Sequence, residues 1–224
     1  MADKIKETTS EKLEKFIFKN RKIILSVVSV LVVAAIGICV SIAVSDANTK
    51  KGLAAIDSIE YAYTAKSQDL SDSDVASRQD KALADVADYC KKNGIVGVRA
   101  NMVAADVYYA KKDYSSALSA YVEAVAKGEN FYTAPICNYN AGACSEELGN
   151  KEEAVKYYLA AAESKDFYLS SHAFFNAARV KESLGDVSGA AELYRKVVDG
   201  YSNDVWANLS QSRIIDLQSK GKID

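Results

Sequence analysis

The sequence predicts an all-α fold, a helix-turn-helix solenoid following one N-terminal transmembrane helix, and three observations carry that expectation. The first is Ile23–Val44, twenty-two residues without a charge, bracketed by Arg21-Lys22 and Asp46. The second is a pattern of Ala and Tyr that returns at offsets of 37 and 36 along the C-terminal half. The third is the scarcity of breakers: a single Pro, at 135, and Gly residues placed where turns are needed.

At ~1.5 Å per residue a helix over Ile23–Val44 covers ~30 Å, the hydrocarbon thickness of a bilayer. Its interruptions are Ser26, Ser29, Gly37, Cys39 and Ser41, all tolerated in lipid because a helix satisfies its own backbone. A cleaved signal peptide is the rival, with Ala43-Val44-Ser45 as a small-residue site, but its apolar region would exceed the usual ~7–15 residues. Lipoprotein processing fits less well, because Ile38 precedes Cys39 where a small residue is needed. Seven basic residues precede Ile23, and only Lys50 and Lys51 follow the span closely. The positive-inside bias therefore places the N-terminus in the cytoplasm and everything after Val44 outside it. The expected organisation is a basic tail over 1–22, the span over 23–44, a juxtamembrane helix and linker over 45–73 and the repeats over 74–224.

The formal charge of −2 divides into +3 for residues 1–22, seven basic against four acidic, and −5 for the rest, 21 against 26. That balance excludes a strongly basic nucleic-acid surface. Cys137 and Cys144 stand two turns apart on one expected helix, too far for a mutual disulfide. Buried apolar roles suit them, and a bridge from Cys90 to either stays open in an oxidising compartment.

Along the chain, Thr8-x-x-Glu11 forms a capping box that starts a helix before the span. Helical spacing returns beyond it in Leu53, Ile56, Ile59 and Tyr63, so one helix is expected to run as far as Lys66. The polar run 67–74 breaks it, with Ser71 or Ser73 as the next N-cap. Asp74–Cys90, with Ala82, Val86 and Ala87 as its packing residues, then pairs with Leu53–Lys66 as a degenerate unit. Three further units align on Ala117, Ala154 and Ala190, each followed four residues later by Tyr121, Tyr158 or Tyr194. A turn recurs at Lys112-Asp113, Gly149-Asn150 and Gly185-Asp186, where a C′ residue enters the left-handed region. Small residues at Ala105, Gly142 and Ala178 let the paired helices approach closely, and a capping helix begins at Trp206 with Leu209 and Ser210 as packing residues.

These positions resemble the tetratricopeptide repeat, with Ala124, Ala161 and Val197 completing the set of small or apolar residues. The closing Pro of that family is absent: Glu129, Asp166 and Ser202 stand there. The layout from about Glu11 to Leu217 further resembles the YfgM-like ancillary subunits of the SecYEG translocon. That resemblance implies a single-pass bacterial inner-membrane protein with a periplasmic repeat domain, and as partners the translocon and periplasmic chaperones. The alternative is a structural or assembly component of another envelope complex, such as cell-wall or division machinery.

No enzyme, cofactor or metal is expected. His172 is the single histidine, no Gly-rich phosphate loop is present, and no G-x-S-x-G elbow appears. The expected binding face is the groove lined by the first helix of each pair: Arg99, Met102, Asp106 and Tyr109, then Tyr139, Ala143 and Glu146, then His172, Phe175, Arg179 and Glu182. Tyr and Arg often dominate binding energy. The competing reading is that Tyr139 and Phe175 pack against neighbouring helices. The Lys/Asn clamp for a peptide carboxylate has no match at Met102/Asp106, Tyr139/Ala143 or Phe175/Arg179.

Overall fold

A computed structural model describes residues 8–65, 70–165 and 167–224. Lys4 and Lys6 of the basic tail, residues 66–69 of the linker and Asp166 lie outside the described residues. The described residues form nine α-helices and no strand: α1 Thr9–Thr64, α2 Asp72–Cys90, α3 Gly94–Ala110, α4 Tyr114–Lys127, α5 Ala134–Glu147, α6 Lys151–Ala162, α7 Ser170–Ser183, α8 Val187–Gly200 and α9 Val205–Ser219. They divide into two compact units, Met1–Lys50 and Lys51–Asp224.

In the first unit the capping box is formed: Thr8 N–H donates to Glu11 Oε2 at 2.8 Å and Glu11 N–H to Thr8 Oγ1 at 3.4 Å. The helix it starts is long and apolar enough to cross a membrane, with Leu25, Leu31 and Ile38 exposed along it. Ser29, in the apolar stretch, donates its hydroxyl to the Leu25 carbonyl at 2.8 Å, which spares a polar group from facing hydrocarbon.

In the second unit each helix from α2 onward packs on the next, and α7 also meets α9, the neighbour-only contact plan of a solenoid. Ile56 on the last turns of α1 is buried with Val86, Val96 and Ala100. Gly52 lies so close to Val96 that an added Cβ would fall within 3.0 Å of its methyl groups. Ser71, not Ser73, caps α2, accepting from Asp74 N–H at 3.3 Å. Ala82 and Val86 are buried as expected, whereas Ala87 is exposed. The helix phase, 100° from Val86, carries it off the apolar stripe.

The repeat positions fill the core. Ala117, Ala154 and Ala190 are buried, as are the small residues Ala105, Gly142 and Ala178 opposite them. Each first helix ends in the same turn, with φ of 61° at Lys112, 77° at Gly149 and 84° at Gly185. The amide of the following residue reaches back five residues, Asp113 to Tyr108, Asn150 to Ser145 and Asp186 to Lys181, at 2.8–3.0 Å, the Schellman arrangement. Asp113 and Asp186 then cap the second helices, accepting from Ser116 and Gly189 N–H. The capping helix α9 buries Ala207, Ser210, Ile214 and Leu217. Leu209, expected among them, is 42% exposed because it precedes Ser210 on the outward side of the helix. All four cysteines are free; burial raises the Cys90 thiol and pushes those of Cys137 and Cys144 up to about 12, so they act as small apolar residues.

Candidate protein-interaction surface

The repeated Tyr of each second helix points its hydroxyl at an acid on the first helix of its own pair. Tyr121 donates to Asp106, Tyr158 to Glu146 Oε2 at 2.8 Å and Tyr194 to Glu182 Oε2 at 3.2 Å. Burial, and then the facing carboxylate, raises all three phenols, that of Tyr194 to about 12. These groups stay protonated and serve as fixed donors.

Two of the three acids also take an arginine from the following unit. Arg179 on α7 grips Glu146 with both guanidinium nitrogens, at 2.9 Å to Oε1 and 2.6 Å to Oε2. Arg213 on α9 donates to Glu182 and lies 3.1 Å from Asp216. The result is a ladder in which carboxylate, phenol and guanidinium stitch one pair to the next. Paired and bidentate geometry makes such contacts directional as well as attractive.

Beside the ladder is an aromatic cluster. Asn176 Nδ2 donates to the Tyr139 hydroxyl at 3.0 Å, and the His172 ring lies within hydrogen-bond reach of that same oxygen. His172 stacks on Trp206 at 3.7 Å with the rings 9° apart. Phe175 meets Trp206 at 5.1 Å and Tyr194 at 5.5 Å. Burial, then the Arg179 charge, lowers the His172 pKa, against a smaller opposing pull from Asp204.

The expected groove residues therefore separate into groups. Tyr139, His172 and Phe175 join α5 and α7 to the capping helix α9, and Glu146, Arg179 and Glu182 belong to the ladder. Met102 is a core residue, packed with Val98, Tyr121 and Cys137. Arg99 turns to the end of α1, 2.9 Å from Glu60 and 3.5 Å from Asp57. Tyr109 remains 37% exposed, with its ring 5.2 Å from that of Tyr114, and Asp106 and Arg179 keep an open edge. Arg213, Asn176 and the stacking role of Trp206 were not legible in advance. The one available signal was the acid recurring 36 residues apart at Glu146 and Glu182, facing a Tyr that recurs with it.

Among the described residues no group of three or more His, Cys, Asp or Glu could hold a metal ion. The tetratricopeptide repeat profile matches residues 102–168 and 146–205, the stretch that holds the ladder apart from Arg213. Over these residues the chain carries tetratricopeptide repeats. It is 30% identical over 152 residues to a TPR repeat-containing protein of Treponema pallidum, a match that covers 66% of this chain and 64% of that relative's length. Among solved structures it is similar to the nearly identical TPR-like repeats of a putative kinesin light chain of Podosopora anserina, at TM-score 0.60 and 15% identity over 75% of this chain and 87% of the other. A single-substitution form of those repeats matches equally well. Likeness at that identity concerns the fold.

Proposed function

We propose that this chain is a membrane-anchored adaptor, held through Ile23–Val44 with its N-terminus in the cytoplasm and its repeats on the extracytoplasmic face. The resemblance to YfgM-like subunits supports the bacterial inner membrane as the site, and the Sec translocon and periplasmic chaperones as the proteins gathered there. The observation that carries the reading is the first-helix face, where Tyr109, Asp106 and Arg179 present aromatic and charged groups of both signs to solvent. Such groups are the usual anchors of protein recognition. A second reading, a spacer within a cell-wall or division complex, is supported by the use of Tyr139, His172 and Phe175 in packing between units.

The test has two parts. A reporter active only outside the cytoplasm, fused after Asp224, should be active; activity of a cytoplasm-only reporter there would overturn the topology. Crosslinking in intact cells, with identification of captured proteins, should return translocon subunits or periplasmic chaperones. Capture of wall-synthesis proteins instead would favour the spacer.

A further inference from the structure

Two successive loops of the repeat unit carry the same aromatic pair. Phe131-Tyr132 stands just before α5 and Phe167-Tyr168 just before α7, 36 residues further on. Phe167 is packed with Ala161 and Phe174, whereas both tyrosines stand in solvent, 75% and 74% exposed. Between the loops lies a cleft of about 840 Å³, walled by Phe131, Tyr132, Pro135, Ile136, Phe167 and Tyr168. Val205, 60% exposed, opens α9 on the same edge, where the first helix of each pair begins.

The last turns of α1 show where the chain enters this unit. Gly52 lies against Val96 in the first turn of α3, Asp57 and Glu60 reach Arg99 one turn on, and the Ala65 carbonyl accepts from Arg78 on α2. This part of α1 therefore runs alongside α3 in the same direction. Its first residues, 51–53, sit at the edge that carries Tyr132, Tyr168 and Val205.

We propose that this edge is a membrane-contact surface, with Tyr132 and Tyr168 seated among lipid headgroups and Val205 beside them. The proposal rests on the anchor at Ile23–Val44 and adds a second point of lipid contact to it. Residues 45–50 alone separate that span from the repeat unit, and six residues reach about 20 Å at most. The tethered edge is thus the one that offers exposed rings. Tyrosine suits the boundary because its ring is apolar while its hydroxyl keeps water or headgroup partners, and it is enriched at membrane interfaces for that reason. Charge plays the lesser part: Lys91, Lys92 and Lys165 are exposed on this edge, but so are Glu129 and Glu163. The contact should therefore form on zwitterionic lipid and resist salt, which screens exposed charges.

The test places a diazirine amino acid at single positions of the full-length chain in phosphatidylcholine vesicles and measures lipid adducts by mass spectrometry. Positions 132 and 168 should give about tenfold or more adduct than positions 112 and 150, which are exposed in turns at the opposite edge, as rings at headgroup depth require. The yield should hold in concentrated salt. Tyr132→Asp with Tyr168→Asp, both on exposed loops, should cut the adducts from position 205 about tenfold. Undiminished adducts there would show that the tether alone brings the edge to lipid, and would overturn the role of the rings. Position 31, inside the span, judges the anchor separately. Lipid adducts from 31 with none from 132 and 168 would overturn the proposal, leave the anchor standing and return these rings to a protein partner. No adduct from 31 would remove the anchor and this surface with it.

Discussion

Replacing Glu146 by Ala tests whether the ladder holds neighbouring pairs together. The Tyr158 ring is 2% exposed and its hydroxyl has Glu146 Oε2 as acceptor at 2.8 Å. Removing that acceptor strands a buried donor, at a cost of about 1–3 kcal/mol. The lost Arg179 pair adds about 1 kcal/mol at most, since nearly half of the arginine side chain, 48%, is in solvent. Glu146→Ala should therefore cost about 2–3 kcal/mol. Tyr158→Phe should cost only about 1 kcal/mol, because the carboxylate keeps Arg179. The double variant has no phenol left to strand, so it should cost less than the sum of the two by about 1 kcal/mol, above the ~0.3–0.5 kcal/mol scatter of independent sites. Urea unfolding of the full chain in detergent, followed by far-UV circular dichroism, gives all three values. Additive costs would show that the phenol and carboxylate do not act as one unit.

Lys112 is the non-glycine residue in the left-handed region at a repeated turn, so Lys112→Gly should stabilise by about 1 kcal/mol while Gly149→Ala destabilises by a similar amount, both read by the same unfolding assay. A Cβ at Gly142 would come within 2.8–3.0 Å of the Tyr158 ring; Gly142→Ala should cost about 1 kcal/mol net, overpacking outweighing the helix gain, and a rise in stability would show that the ring yields freely. The His172 pKa lies below its ordinary 6.5 in the folded chain, so the unfolded chain takes up a proton first as pH falls. The histidine should then favour folding less below about pH 6.5, and His172→Gln should flatten that part of the stability profile relative to the parent.

The helix pairs were legible because their marks are backbone and volume requirements: Gly149 and Gly185 satisfy a left-handed φ, and Ala117, Ala154 and Ala190 fit where helices touch. The capping box at Thr8 and Glu11 was legible for the same local reason. The face was harder to read. Periodicity puts Met102, Tyr139 and Arg179 on one side of their helices but does not say whether the next helix covers that side. Met102 went to the core, Tyr139 to Asn176 and His172, and Arg179 to Glu146. Arg213 and Trp206 entered from a helix whose register departs from the repeat, which is also why Leu209 was misassigned.

The most direct test of the adaptor account is site-specific photocrosslinking in intact cells, with the photoreactive residue at position 109 on α3 or at position 122 on α4. Both side chains are similarly exposed, 37% and 38%, but only the first lies on a first helix, whose face the account assigns to the partner. The account predicts discrete adducts with the same partner from position 109 and none from position 122. Equal adducts from both positions, or adducts from 122 alone, would contradict it.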